Sequence, residues 1–187
     1  MYSLYFDGLY RRLAEFEESL GNVGFMCYGW LIEKDRVQVA RGHGASGRKK
    51  NASSYVAEYL ALIEGLEALR DMGIQKESIH IVGDAKTVID QMLGLAEVRS
   101  GSVRPLHRKA QQLAWKFRDL SWQWVPRRYN HSADRLTRHA LQQMQATPEF
   151  FQEAMRALEH HALSKRRSND PLPLLDLWVF QPAGSSS

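Results

Sequence analysis

Three β-rich stretches follow one another before the first clear helix, and from that point helices and strands alternate. Residues 2–7 read as a strand ending at Gly8, and residues 23–33 and 36–44 as two more, separated by the hairpin signal Lys34-Asp35. A helix then runs from Ser53 or Ser54 to Met72, with Val56, Tyr59, Leu60, Ile63, Leu66 and Leu69 on one side and Gly73 as terminator. A strand over 78–82, helices over 86–93 and 106–118, a strand over 121–125 stopped by Pro126, and a helix capped by Asn130 and running to 145 complete the series. This order favours an α/β fold, a mixed sheet with helices packed on its faces. Two additions stand outside it. Leu9, Leu13, Phe16 and Leu20 recur at helical spacing and predict a short inserted helix over 9–20, closed by Gly21. Beyond a domain of residues 1–146, Pro148 opens a further helix to 163, followed by a charged linker and an apolar segment over 174–180, all within a C-terminal extension of 147–187.

The 187 residues are 44% apolar and 25% charged, which excludes collagen-like and wholly disordered chains. A core of ordinary size is available, and the lone Cys27 makes neither an internal disulfide nor a cysteine-rich zinc site. No run approaches the roughly 20 apolar residues of a membrane span, and Asp7 interrupts the apolar stretch at the start. The expectation is a cytoplasmic protein without membrane partners. The net charge of +4 is uneven: residues 1–98 carry −3, residues 99–139 carry +8, and the remainder −1. The basic segment reads either as a folded face for a polyanion or as solvated helix faces. Trp115, Trp122 and Trp124, interleaved with it, read first as core packing and second as base stacking.

Four acids occupy the ends of these elements. Asp7 ends the first strand, where a charge after aliphatic and aromatic residues is costly to bury unless paired or metal-bound. Glu58 lies one turn into the long helix, Asp84 follows the strand at 78–82, and Asp134 sits in the first turn of the helix capped by Asn130. Each alone reads as a cap, a turn or a solvated residue. Converging, they would repel one another and require cations. Hard divalent ions, Mg²⁺ or Mn²⁺, are the natural partners of such oxygens, and two of them activate water and stabilise the leaving oxygen of a phosphodiester.

The ordered set Tyr5-Phe6-Asp7-Gly8, Gly21-Asn22-Val23-Gly24, Val56-Ala57-Glu58-Tyr59, Gly83-Asp84, Trp124-Val125-Pro126-Arg127 and Asn130 with Ala133-Asp134 resembles type 1 ribonuclease H, in particular its compact archaeal and bacterial branch. The resemblance covers residues 1–145. It implies the ribonuclease H-like fold, a five-stranded mixed sheet with its first three strands antiparallel and helices on both faces. It further implies an endoribonuclease that cuts the RNA strand of RNA–DNA hybrids with two Mg²⁺ or Mn²⁺ ions and leaves a 5′-phosphate and a 3′-hydroxyl. Asp7, Glu58, Asp84 and Asp134 would be the metal-holding catalytic residues. Gly8, Asn22, Ser54, Tyr55, Arg127, Arg128 and Asn130 would contact the substrate. The alternatives are a non-catalytic module that binds hybrid or duplex on the same scaffold, and another nuclease of the superfamily.

Several departures accompany the resemblance. The stretch 9–19 separates Asp7-Gly8 from the glycine turn, Ser54 and Tyr55 stand where relatives carry paired Asn, and Ala85 replaces a Ser. Many bacterial and retroviral members carry a mobile His about ten residues before the last acid. None stands there in this chain, and His131 is the candidate auxiliary. In the tail, the run Leu174, Leu175, Asp176, Leu177, Trp178 resembles the peptide by which bacterial replication and repair proteins bind the sliding clamp, with Leu174 in place of Gln; docking on its own domain is the other reading.

Overall fold

The computed structural model describes residues 1–12, 24–48 and 52–147. It contains one sheet of five strands, β1 (Tyr2–Arg12), β2 (Gly24–Lys34), β3 (Val37–Arg48), β4 (Ser78–Gly83) and β5 (Asp119–Trp124), in the order β3-β2-β1-β4-β5. The first three strands are mutually antiparallel, and β4 and β5 join in parallel, so the sheet is mixed as expected. Among the described residues four helices accompany it: α1 (Ser54–Asp71), α2 (Lys86–Met92), α3 (Arg104–Ala114) and α4 (His131–Ala146), the last preceded by a 3₁₀ turn at Arg127–Tyr129. Among the described residues, no helix is long and apolar enough to cross a membrane.

Strand β1 does not end at Asp7. It continues to Arg12, and Leu9, Tyr10, Arg11 and Arg12 pair with Cys27, Met26, Phe25 and Gly24. The helical spacing of Leu9 with Leu13 and Phe16 misleads here, because β2 is buried over nine consecutive residues and needs a ladder partner along its whole length. Residues 13–20 of the predicted insertion lie outside the described residues, as do the predicted helix over 148–163 and the run from Leu174 to Trp178. β3 likewise extends beyond Gly44, through part of the predicted loop. Its small residues suit it to the strand, since a Cβ at Gly42 would meet the Trp30 ring at 2.5 Å and one at Gly44 the Tyr28 hydroxyl at 2.5 Å. The hairpin between β2 and β3 turns on Asp35 and Arg36, both at positive φ, one residue later than the sequence signal.

The core is double. On one side Leu4, Phe6, Met26, Tyr28, Trp30 and Ile32 of the sheet meet Val56, Tyr59, Leu62, Ile63, Leu66 and Leu69 of α1, with α3 behind. On the other, α4 lies across β1, β2 and β3 and buries Ala133, Ala140 and Met144, while Phe25, Cys27 and Leu31 of β2 are also sealed from solvent. Helices therefore cover both faces, and the first turns of α1 and α4 meet the sheet near Asp7.

Candidate metal centre

Asp7 sits in the middle of β1, 3% exposed, beside the end of β4. Phe6 pairs with Gly83 in the parallel ladder, so the next residue of each strand, Asp7 and Asp84, emerges at the same level. Glu58 reaches the same point from α1, which packs against β1 through Gly8. A Cβ on Gly8 would lie 2.2 Å from the Glu58 nitrogen and 2.4 Å from the Ala57 carbonyl carbon, so only glycine admits the helix backbone this close. The outcome is a cluster in which one oxygen each of Asp7, Glu58 and Asp84 lies within 4.8 Å of the others.

The electrostatics of the cluster are those of acids short of positive charge. Burial pushes Asp7 up to about 6, with a further push from Asp84 against the opposing effect of the Thr137 hydroxyl. Burial raises Glu58 well above its usual value, and Asp7 and Asp84 add to it. Glu58 Oε2 is buried without a hydrogen-bond partner. Three converging carboxylates, one with an unpartnered buried oxygen, form an oxygen-only donor set suited to a hard divalent cation.

Asp134 does not join that trio. Arg127, from the 3₁₀ turn, binds its Oδ1, and Arg138, one turn along α4, donates to Oδ2 at 2.9 Å. Burial pushes the Asp134 carboxyl up, but the two arginines outweigh it and hold the group below its ordinary value. The expected convergence of four acids is thus three plus one: opposite charge captures the fourth, though it still adds to the repulsion at Asp7.

The other expected contacts divide similarly. Asn130 is 1% exposed and does not face outward, as a substrate contact would. Nor does its side chain cap α4. Its amide donates to the Phe6 carbonyl at 2.8 Å and to Asp84 Oδ1 at 3.0 Å, tying the residue before Asp7 to the neighbouring acid. Gly8 is occupied by its contact with α1. Ser54 and Tyr55 open α1 and are exposed, while Ser53 caps the helix by accepting from the Val56 amide at 3.3 Å. Arg128 lies over the Tyr129 ring at 5.0 Å, both residues exposed. His131 is exposed at the start of α4, and Asn22 lies outside the described residues. Trp124 donates its indole N–H to the Asp84 carbonyl at 3.0 Å.

Two contributors stand outside the expected site residues. Thr137, fully buried, donates toward Asp7; the signal for it is a polar residue on the inner face of α4 between Ala133 and Ala140. Arg138 stands four residues after Asp134, a helical ion-pair spacing visible in the sequence.

Comparison with known proteins agrees with this geometry. Residues 27–140 match the family described as reverse transcriptase-like, a span that includes Glu58, Asp84 and Asp134. Ribonuclease HI of Halobacterium salinarum is 36% identical over 138 residues, 73% of this chain and 62% of that protein. The bifunctional protein Rv2228c of Mycobacterium tuberculosis is 36% identical over 126 residues, 66% of this chain but 33% of that protein, so the chain spans about a third of that relative's length. Among solved structures, the N-terminal RNase H domain of Rv2228c, a fusion with maltose binding protein, has a TM-score of 0.66 at 31% identity and covers 79% of this chain and 97% of that one. RNase H1 of Halobacterium salinarum has a TM-score of 0.65 at 34% identity, covering 76% of this chain and 98% of that one. With its mixed sheet, its carboxylates in the middle of β1 and after the end of β4, and these relatives, the chain belongs to the reverse transcriptase-like family, in its type 1 ribonuclease H branch.

Proposed function

We propose that the protein is a metal-dependent endoribonuclease that cuts the RNA strand of RNA–DNA hybrids. The observation that carries this reading is the trio Asp7, Glu58 and Asp84, whose oxygens lie within 4.8 Å of one another with Glu58 Oε2 unpartnered. These three residues would hold divalent cations, two Mg²⁺ or Mn²⁺ in the full site, with Asp134 joining once its arginines release it. Bound there, such ions supply activation of water and charge stabilisation at the phosphodiester. The chain's own residues do the rest. Arg127, more than half exposed at its side chain, exchanges Asp134 for a phosphate of the substrate, and Arg128 and Tyr129 extend that grip. Tyr55 and Ser54 flank the site from the start of α1. Recognition of the hybrid rests on groove shape and ribose 2′-hydroxyls rather than base sequence. The same reading places the enzyme in the cytosol, where the buried Cys27 remains a thiol.

The test is a cleavage panel of RNA–DNA hybrid, double-stranded RNA and branched DNA in Mg²⁺ or Mn²⁺. Hybrid alone is expected to be cut, leaving 5′-phosphate and 3′-hydroxyl ends, and Asp7→Asn is expected to abolish cutting. A hybrid that binds but stays intact would replace this reading with that of a non-catalytic binding module. Cutting undiminished in Asp7→Asn would remove the metal centre from the mechanism.

A further inference from the structure

Thr137 stands between the first acid and the fourth. It is fully buried on the inner face of α4, with Oγ1 3.1 Å from Asp7 Oδ2 and 2.8 Å from the Asp134 carbonyl oxygen. The second contact is the back-bond a helical Thr makes to the carbonyl three residues earlier, and it fixes the side-chain rotamer so that the hydroxyl faces β1. The depth of α4 is set by Gly29 of β2, which pairs with Asp7. A Cβ there would meet Leu136 Cβ at 2.6 Å, and both the Ala133 oxygen and the Thr137 nitrogen at 3.0 Å. Helix and strand thus meet closely enough that only a glycine fits between them, and the hydroxyl is delivered to Asp7 by the packing itself.

The hydroxyl carries one proton and faces two acceptors. An ionised carboxylate is the stronger of them, so the proton turns toward Asp7 when that group is charged. Around Asp7 the carboxylates Asp84, Asp134 and Glu58 all oppose its charge, and the attraction of Arg127, engaged with Asp134, offsets them only in part. A carboxylate so placed rotates away from its neighbours unless a donor holds it.

We propose that Thr137 is a positioning residue of the metal centre: its hydroxyl holds the Asp7 carboxylate in the orientation that keeps one oxygen close to those of Glu58 and Asp84, and so raises the affinity of the trio for a divalent cation. The inference deepens the metal-centre reading above and rests on it. It also gives the first turns of α4 two tasks, since the segment that supplies Asp134 also orients Asp7.

Calorimetric titration of the full chain with Mn²⁺, without nucleic acid, tests the proposal in wild type, Thr137→Val, Thr137→Ser and Thr137→Ala. Valine keeps the shape and removes the proton; serine keeps the proton. Thr137→Val is expected to bind Mn²⁺ about ten-fold more weakly, the loss that corresponds to one hydrogen bond to a charged group, and Thr137→Ser to stay within about two-fold of wild type. If the valine variant does not fold, as judged by circular dichroism, alanine carries the same comparison. Wild-type affinity in a folded Thr137→Val or Thr137→Ala, or a folded Thr137→Ser as weak as valine, would overturn the positioning role and leave the metal centre standing. No Mn²⁺ binding by the wild type would overturn both.

Discussion

Arg127 binds one oxygen of Asp134 while Arg138 binds the other, so the acid nearest the trio is neutralised by two cations from its own neighbourhood. Arg127 also feels Asp7 and Asp84, and its positive charge opposes a metal ion beside them. Arg127→Ala is therefore expected to tighten Mn²⁺ binding by about three-fold or more in the absence of nucleic acid. The same change is expected to weaken hybrid binding and to reduce its salt dependence by about one unit of log–log slope. Calorimetry and a salt series of hybrid binding check the two halves separately.

Asp7 gives the metal-free protein a distinctive pH response. Its carboxyl rises from 3.8 to about 6 on folding, so the folded chain retains a proton that the unfolded chain releases. The stability contributed by that proton is full below the ordinary value and is lost as pH climbs to about 6. Glu58 shifts in the same direction. Between about pH 4 and pH 7.5, metal-free Asp7→Asn is expected to gain about 3 kcal/mol on metal-free wild type. Mn²⁺ at neutral pH should then raise the melting temperature of wild type more than that of Asp7→Asn. Parallel stability curves for the two proteins would contradict the shift.

The acids themselves were legible because each sits where a periodic pattern breaks: Asp7 within an apolar strand, Asp84 after one, Glu58 on an otherwise apolar helix turn. Helix α1 was legible because its seam of Val56, Tyr59, Ile63, Leu66 and Leu69 is local. The length of β1 was not, because what makes Leu9 and Tyr10 extended is a partner strand more than fifteen residues away, while the local spacing with Leu13 and Phe16 points to a helix. Asn130 shows the same limit at the site. Its position before α4 marked it as a cap, yet its side chain bonds Phe6 and Asp84, contacts that exist only once β1, β4 and α4 have assembled. The capture of Asp134 was half visible, in the four-residue spacing to Arg138; the approach of Arg127 depends on the 3₁₀ turn.

Gly8 supports the trio through backbone proximity. Because its Cβ would enter the α1 backbone at Glu58 and Ala57, and no flexible side-chain end is available to yield, Gly8→Ala is expected to push helix and strand apart. The cost expected is about 1–3 kcal/mol of stability, together with loss of Mn²⁺ binding, since Glu58 moves away from Asp7. Chemical denaturation and calorimetry on the same preparation measure both. A variant with wild-type Mn²⁺ affinity would show that the close approach does not set the metal centre.

Asn130 carries the most specific expectation. Its amide nitrogen serves the buried Phe6 carbonyl and the half-buried Asp84 Oδ1 together. Asn130→Ala leaves both acceptors with one donor fewer, and the cost of the unsatisfied buried Phe6 carbonyl sets the expected destabilisation at about 1–3 kcal/mol. Asn130→Asp is nearly isosteric but faces Asp84 with a second carboxyl. That variant is expected to be destabilised more at neutral pH than in acid, because the introduced carboxyl donates when protonated and repels Asp84 when ionised. Stability measured across pH separates the two effects: loss in Asn130→Ala is flat in pH, whereas loss in Asn130→Asp grows as pH rises. If both losses are flat, the amide does not orient Asp84, and its role reduces to satisfying the Phe6 carbonyl.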